Sequence, residues 1–141
     1  MGENQLSNKN ELSFFIIRLV LGLTFFAHGL IKFQDGIHNT ENFFNSLGIF
    51  DWLAYPVAIL ELVGGILVIL GLGTRIISTL FSLLMAGAII TVKFDQGFIG
   101  GYEFDLLLLA VSLFFVVNKS QSISLDKFLS NRNKQQQQHT L

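Results

Sequence analysis

Four apolar stretches, each close to the roughly twenty residues a helix needs to cross a lipid core, dominate this chain. They run over 12–33, 52–72, 76–94 and 98–117, the last starting at Phe98 or Tyr102. Lipid offers no partners to backbone N–H and C=O groups, so a spanning segment must be a helix or part of a closed barrel. The strict alternation of a barrel strand is missing. The expected fold is therefore all-α: an integral membrane four-helix bundle over 12–117, after a polar segment 1–11 and before a tail 118–141. Charge supports this, because only 13% of the residues are charged, against about 25% in a soluble domain. The opening residues lack a basic region and a cleavage site, so the first span is expected to be retained.

The connections suggest a topology. Leu72-Gly73-Thr74-Arg75 is long enough only for a turn, which makes spans two and three an antiparallel hairpin with Arg75 at its tip. Lys119, Lys127, Arg132 and Lys134 come after the last span. Positive charge favours the cytoplasmic side, so both chain ends and this turn are expected there (N-in/C-in), with loops 34–51 and 95–101 facing outward. In the first of these loops Thr40 is a candidate N-cap. Phe43, Phe44 and Leu47 would then share one side of a short covering helix stopped by Gly48; an irregular loop with phenylalanine anchors is the alternative. In the tail, Ile123, Leu125, Phe128 and Leu129 suit a short surface helix, and 131–141 has the composition of a disordered segment.

Two span endings echo each other: Lys32-Phe33-Gln34-Asp35-Gly36 and Lys93-Phe94-Asp95-Gln96-Gly97. Either the chain holds two related helical hairpins, or an interfacial Lys-Phe is simply a common way to finish a span.

Several functions are excluded early. The chain has no cysteine, which removes disulfides, thiolate nucleophiles and iron–sulfur ligation. Any redox role must then use a bound cofactor, a quinone or a partner protein. A net charge of −1 without a basic cluster argues against nucleic acid as a partner. No P-loop, HExxH, GxSxG or dinucleotide glycine motif occurs. Bis-histidine haem ligation would need a second membrane histidine beside His28, and His38 and His139 lie in a loop and the tail. No metal site is expected.

Ionisable residues within spans cost about 2.5–3.5 kcal/mol each at the bilayer centre, so they mark pairing, a watery cavity or chemistry. Here they are Arg18, His28, Lys32, Glu61, Lys93, Glu103 and Asp105. At about 100° per residue, Arg18, His28 and Lys32 share one arc of the first span with Gly22, Phe25 and Gly29. Ala58, Gly64, Gly65 and Val68 flank Glu61, while Ser78, Ser82 and Ala86 line up with Lys93. Small residues on these faces suit close helix contact. Glu61, mid-span, either pairs with Arg18 or another helix, or serves proton transfer or ligand binding. Arg18 either binds Glu61 or snorkels to the cytoplasmic surface. Lys32 and Lys93 sit near the outer interface, where Glu103 and Asp105 can pair with them. Two residues apart, those acids point to nearly opposite sides, and Glu103 is expected to face the axis. His28 is either a satisfied interhelical group or a partner for a quinone-like ligand. As a site, Glu61 and His28 are the candidates for catalysis, and Arg18, Lys32, Lys93 and Glu103 for ligand binding.

These residues resemble the pattern of the DoxX family of small bacterial membrane proteins. The resemblance is carried by Arg18-Leu-Val-Leu-Gly22, Ala27-His28-Gly29-Leu-Ile-Lys32, Glu61-Leu-Val-Gly64-Gly65, Leu70-Gly71-Leu-Gly73-Thr74-Arg75 and Gly101-Tyr102-Glu103. It extends over 14–117 and implies a multi-pass protein of the bacterial cell membrane. The family takes its name from a subunit of a terminal quinol oxidase, and its members are linked to thiosulfate:quinone oxidoreduction and to resistance against catechols and quinones. One is a membrane anchor joining two soluble redox enzymes. The resemblance transfers no catalytic residue.

Three functions emerge as expectations. The first is a membrane component of a redox or detoxification system, with a polar cleft for a quinone or another small aromatic. The second is a non-catalytic scaffold that holds soluble redox enzymes on the cytoplasmic side. The third is a proton-coupled exporter of aromatic or anionic compounds, which with only four helices would need a homo-oligomer.

Overall fold

The computed structural model describes residues 2–118, with side chains from residue 9 onward. The expected tail helix around Ile123 to Leu129 and the expected disordered end lie outside the described residues. Within them the chain is all-helical. The helices are α1 (Gly2–Gln34), α2 (Ile37–Ser46), α3 (Ala54–Leu70), α4 (Thr74–Ala88) and α5 (Glu103–Val117). Four segments are long and apolar enough to cross a membrane: Lys9–Gln34, Asp51–Leu70, Thr74–Gln96 and Phe98–Val117. Leucine, isoleucine, valine and phenylalanine side chains cover their outer faces, as lipid requires.

Helix ends reflect the local sequence. α3 carries the single proline, Pro56, in its first turn, where the missing N–H costs no helical hydrogen bond. It stops in a Schellman motif: Leu72 N–H donates to Leu67 O at 2.8 Å and Gly71 N–H to Val68 O at 3.1 Å. Gly71 adopts φ +72° there, a conformation that favours glycine. α2 ends the same way, with Ile49 N–H bonded to Phe44 O at 2.9 Å. The loop after span one is thus helical, but it starts at Ile37 rather than being capped by Thr40, which lies inside the helix.

The chain runs from α4 to α5 through less regular backbone. α4 continues into a π-helical turn, Ile89–Lys93. The stretch Phe98–Tyr102 then breaks helical geometry at Ile99 (ψ 121°) and Gly100 (φ 75°), so regular helix resumes only at Glu103.

The bundle is built as two tight pairs. α1 packs most extensively on α3, and α4 on α5. Glycine explains the first contact: a Cβ on Gly65 would lie 2.6 Å from Phe26 N and 2.7 Å from Gly22 O, and one on Gly29 would collide with the backbone of Leu62. Backbone touches backbone at these points, the close approach that small residues permit between membrane helices. The pairs meet at a core of Leu21, Phe25, Val68, Phe81, Met85, Leu108 and Phe115. Phe25 and Phe81 stack at 3.6 Å between centroids, and Phe14 stacks on Phe114 at 5.2 Å near the α3–α4 turn. At the other end, beneath α2, the pairs diverge.

Candidate functional site

A cavity of about 710 Å³ fills the space where the pairs diverge. Small-molecule sites commonly occupy about 300–1,000 Å³ and have mostly apolar walls with a few placed polar groups. Here the apolar wall includes Phe43 and Phe44 from α2, Leu53 and Val57 around the start of α3, Leu83 and Leu84 from α4, and Phe104 and Leu108 from α5. His28, Lys32, Glu61, Lys93 and Asp105 supply its ionisable groups, with Asp35 at the end of α1.

Two Lys–carboxylate pairs line this space. Lys32, on the last turn of α1, binds the carboxylate of Glu61 on α3. Only 6% of the Glu61 side chain is exposed, against 24% for Lys32. Lys93 Nζ lies 2.6 Å from Asp105 Oδ2, linking the π-helical turn after α4 to the first turn of α5. A π-helical turn shifts the phase of the residues beyond it and is frequent at functional positions. Each pair places one N–H donor group and one carboxylate acceptor at the wall.

The structure decides one open pairing and corrects one expected orientation. Glu61 takes Lys32 as its ion-pair partner rather than Arg18. α1 and α3 run antiparallel, and the contacts of Phe26 with Gly65 and of Gly29 with Leu62 place Glu61 level with Leu30. Arg18 is twelve residues away from that level, about 18 Å along the helix at 1.5 Å per residue. It is buried near the opposite end of the bundle with its guanidinium 5.6 Å from the Phe15 ring, and it does not line the cavity. Sharing an arc was insufficient, because arcs carry no depth.

The correction concerns Glu103 and Asp105. Asp105 is buried and paired, whereas Glu103 is exposed and accepts a hydrogen bond from Gly100 N–H at 3.1 Å. A signal for this was present in the sequence. Ser112 is the one polar residue of the last span beyond its acidic start, and Asp105 precedes it by seven residues, two helical turns on the same face. Glu103 precedes it by nine, the opposite face. Asp105, Leu108, Ser112 and Phe115 form the buried stripe of α5.

His28 does line the cavity, although it is exposed. Its ring centroid lies 6.1 Å from that of Phe104, so it stands at the gap between α1 and α5. Of the six site candidates, His28, Lys32, Glu61 and Lys93 come together, while Arg18 and Glu103 stand elsewhere. Among the described residues, no three His, Cys, Asp or Glu side chains gather as a metal-binding set.

Comparison with known proteins is consistent with this architecture. The family model described as DoxX matches residues 13–94. The chain is 45% identical over 119 residues to the Bacillus subtilis protein named "Putative oxidoreductase CatD", covering 84% of this chain and 88% of that one. It is 32% identical over 131 residues to "Uncharacterized membrane protein Rv3486" of Mycobacterium tuberculosis, covering 82% of this chain and 80% of the relative. No solved structure matches the chain significantly.

Proposed function

The chain belongs to the DoxX family, and from this we propose that it is a bacterial cell-membrane component of a redox or detoxification system. It receives a quinone, a catechol or a similar oxygenated aromatic in the cavity beneath α2. The observation that carries this reading is the combination in one space of apolar walls and two internal Lys–carboxylate pairs. The name of the Bacillus subtilis relative, "Putative oxidoreductase CatD", supports the same class of chemistry.

The residues have separable roles in this reading. The phenylalanines of α2 and α5 hold the flat ring and exclude water. Lys32 and Lys93 donate charge-assisted hydrogen bonds to ring oxygens. Glu61, held by Lys32, takes up or returns the proton of a ring hydroxyl, the positioned acid–base role that a buried carboxyl suits. His28, at the gap beside Phe104, is the second group able to carry a proton. The preference of positive charge for the cytoplasmic side supports an orientation with the Arg75 turn and both chain ends there. The cavity then opens at the outer face with α2 across its mouth.

The test is the purified chain in lipid, assayed for turnover of quinones and catechols, with and without Glu61→Gln. Turnover that falls at least tenfold with Glu61→Gln supports the reading. An unaltered chain that neither binds nor turns over any of these compounds overturns it.

A further inference from the structure

The two echoing span endings occupy equivalent places in the fold. Lys32 and Lys93 each stand four residues before a glycine, and both glycines adopt positive φ, +90° at Gly36 and +80° at Gly97. Each lysine pairs with a carboxylate on the next spanning helix: Lys32 with Glu61 on α3, Lys93 with Asp105 on α5. These are also the two helix pairs that pack most extensively. The chain thus reads as two repeats, α1–α3 and α4–α5, with α2 inserted in the first. The cavity lies at their junction and takes one charged pair from each. Sites at the junction of repeats are a recurring design in membrane bundles.

We propose that Lys93 and Asp105 form a second pole of the site and select neutral aromatic compounds that carry two separate hydroxyl groups. One hydroxyl is seated at Lys32–Glu61 and the other at Lys93–Asp105. This rests on the reading that the cavity binds an oxygenated aromatic, and adds which ones it prefers and which residues choose them. A hydroxyl matches a Lys–carboxylate pair on both sides: it accepts from the ammonium and donates to the carboxylate. A carbonyl or ether oxygen can only accept. Each pole is already balanced in charge, so a charged ligand would find no uncompensated partner at either. A ligand with one hydroxyl satisfies one pole and leaves the other pair without a ligand contact.

Equilibrium dialysis of the full chain in detergent tests this with matched probes of two lengths. These are 1,4-dihydroxybenzene against phenol, and 4,4′-dihydroxybiphenyl against 4-hydroxybiphenyl. The expected result is a preference of about tenfold for the two-headed compound at one length or both, in line with one additional hydrogen bond to a charged group. The Lys93→Met, Asp105→Leu double variant, which strands no charge, is expected to remove the preference. Equal binding within both probe pairs by the unaltered chain overturns the proposal and leaves the cavity reading standing. A preference that survives in the double variant also overturns it. Absence of binding by all four compounds removes the cavity reading, and the proposal with it. The ratio in the unaltered chain decides on its own should the variant not fold.

Discussion

Lys32 at the end of α1 holds Glu61 near the middle of α3, and this pair ties together two helices whose backbones touch at Gly22, Gly29 and Gly65. The order of causes runs from glycine to charge. Gly22, Gly29 and Gly65 let α1 and α3 touch, and that contact sets their register. The register brings a lysine and a carboxylate 29 residues apart in sequence to one cavity wall.

Breaking this pair on one side is expected to cost more than removing it entirely. Glu61→Leu or Lys32→Met alone should lower stability by about 3 kcal/mol, the lower end for buried pairs, because Lys32 keeps 24% of its side chain exposed. The double substitution should recover most of that loss. Equilibrium unfolding in detergent of the four chains gives the coupling energy; a value near zero would show the two side chains to be independent.

The glycine contact makes a sharper prediction about packing. Gly65→Ala places a methyl group against Phe26 N and Gly22 O, atoms that cannot give way without moving a helix, and should cost about 1–3 kcal/mol. Gly87→Ala on α4 meets nothing within 4 Å and should be neutral or slightly stabilising. Melting temperatures of the two variants, measured side by side, check the order.

The two acids at the start of α5 should behave differently. Asp105→Ala leaves Lys93 without its carboxylate and is expected to destabilise by about 3 kcal/mol. Glu103→Ala removes only an exposed hydrogen bond to Gly100 N–H, worth about 1 kcal/mol or less. Thermal unfolding in which Glu103→Ala is the more damaging change would contradict the assignment of Asp105 to the interior.

How far the sequence could be read is clear from these same residues. Apolar length alone located the four spanning segments, because the thickness of lipid leaves so little choice. Residue type also pointed to Glu61, Lys32, Lys93 and His28, since an ionisable side chain in a span needs a reason to be there. The pairing was harder. An arc on a helical wheel says which way Arg18 and Lys32 point but not which of them is level with Glu61, and that depends on the α1–α3 register. The phase of α5 could not be carried forward from Gly97, because Ile99 and Gly100 leave helical geometry. It could be carried backward from Ser112, and that route leads to Asp105.

Orientation in the membrane is open to a clean chemical test, because the chain has no cysteine of its own. Ser46→Cys on α2 should react with an impermeant maleimide on intact cells. Arg75→Cys, at the tight turn, should react only after permeabilisation. The reverse pattern would turn the bundle over and open the cavity to the cytoplasm.

The occupant of the cavity can be identified from the small molecules that travel with the protein. Organic extracts of the purified chain and of the Lys32→Met, Glu61→Leu double variant are compared by mass spectrometry, each normalised to protein. An oxygenated aromatic compound near one equivalent in the unaltered chain, and depleted at least tenfold in the variant, is expected of a ligand site built around Lys32 and Glu61. Extracts that contain lipid alone, or an aromatic compound retained equally by the variant, would contradict it.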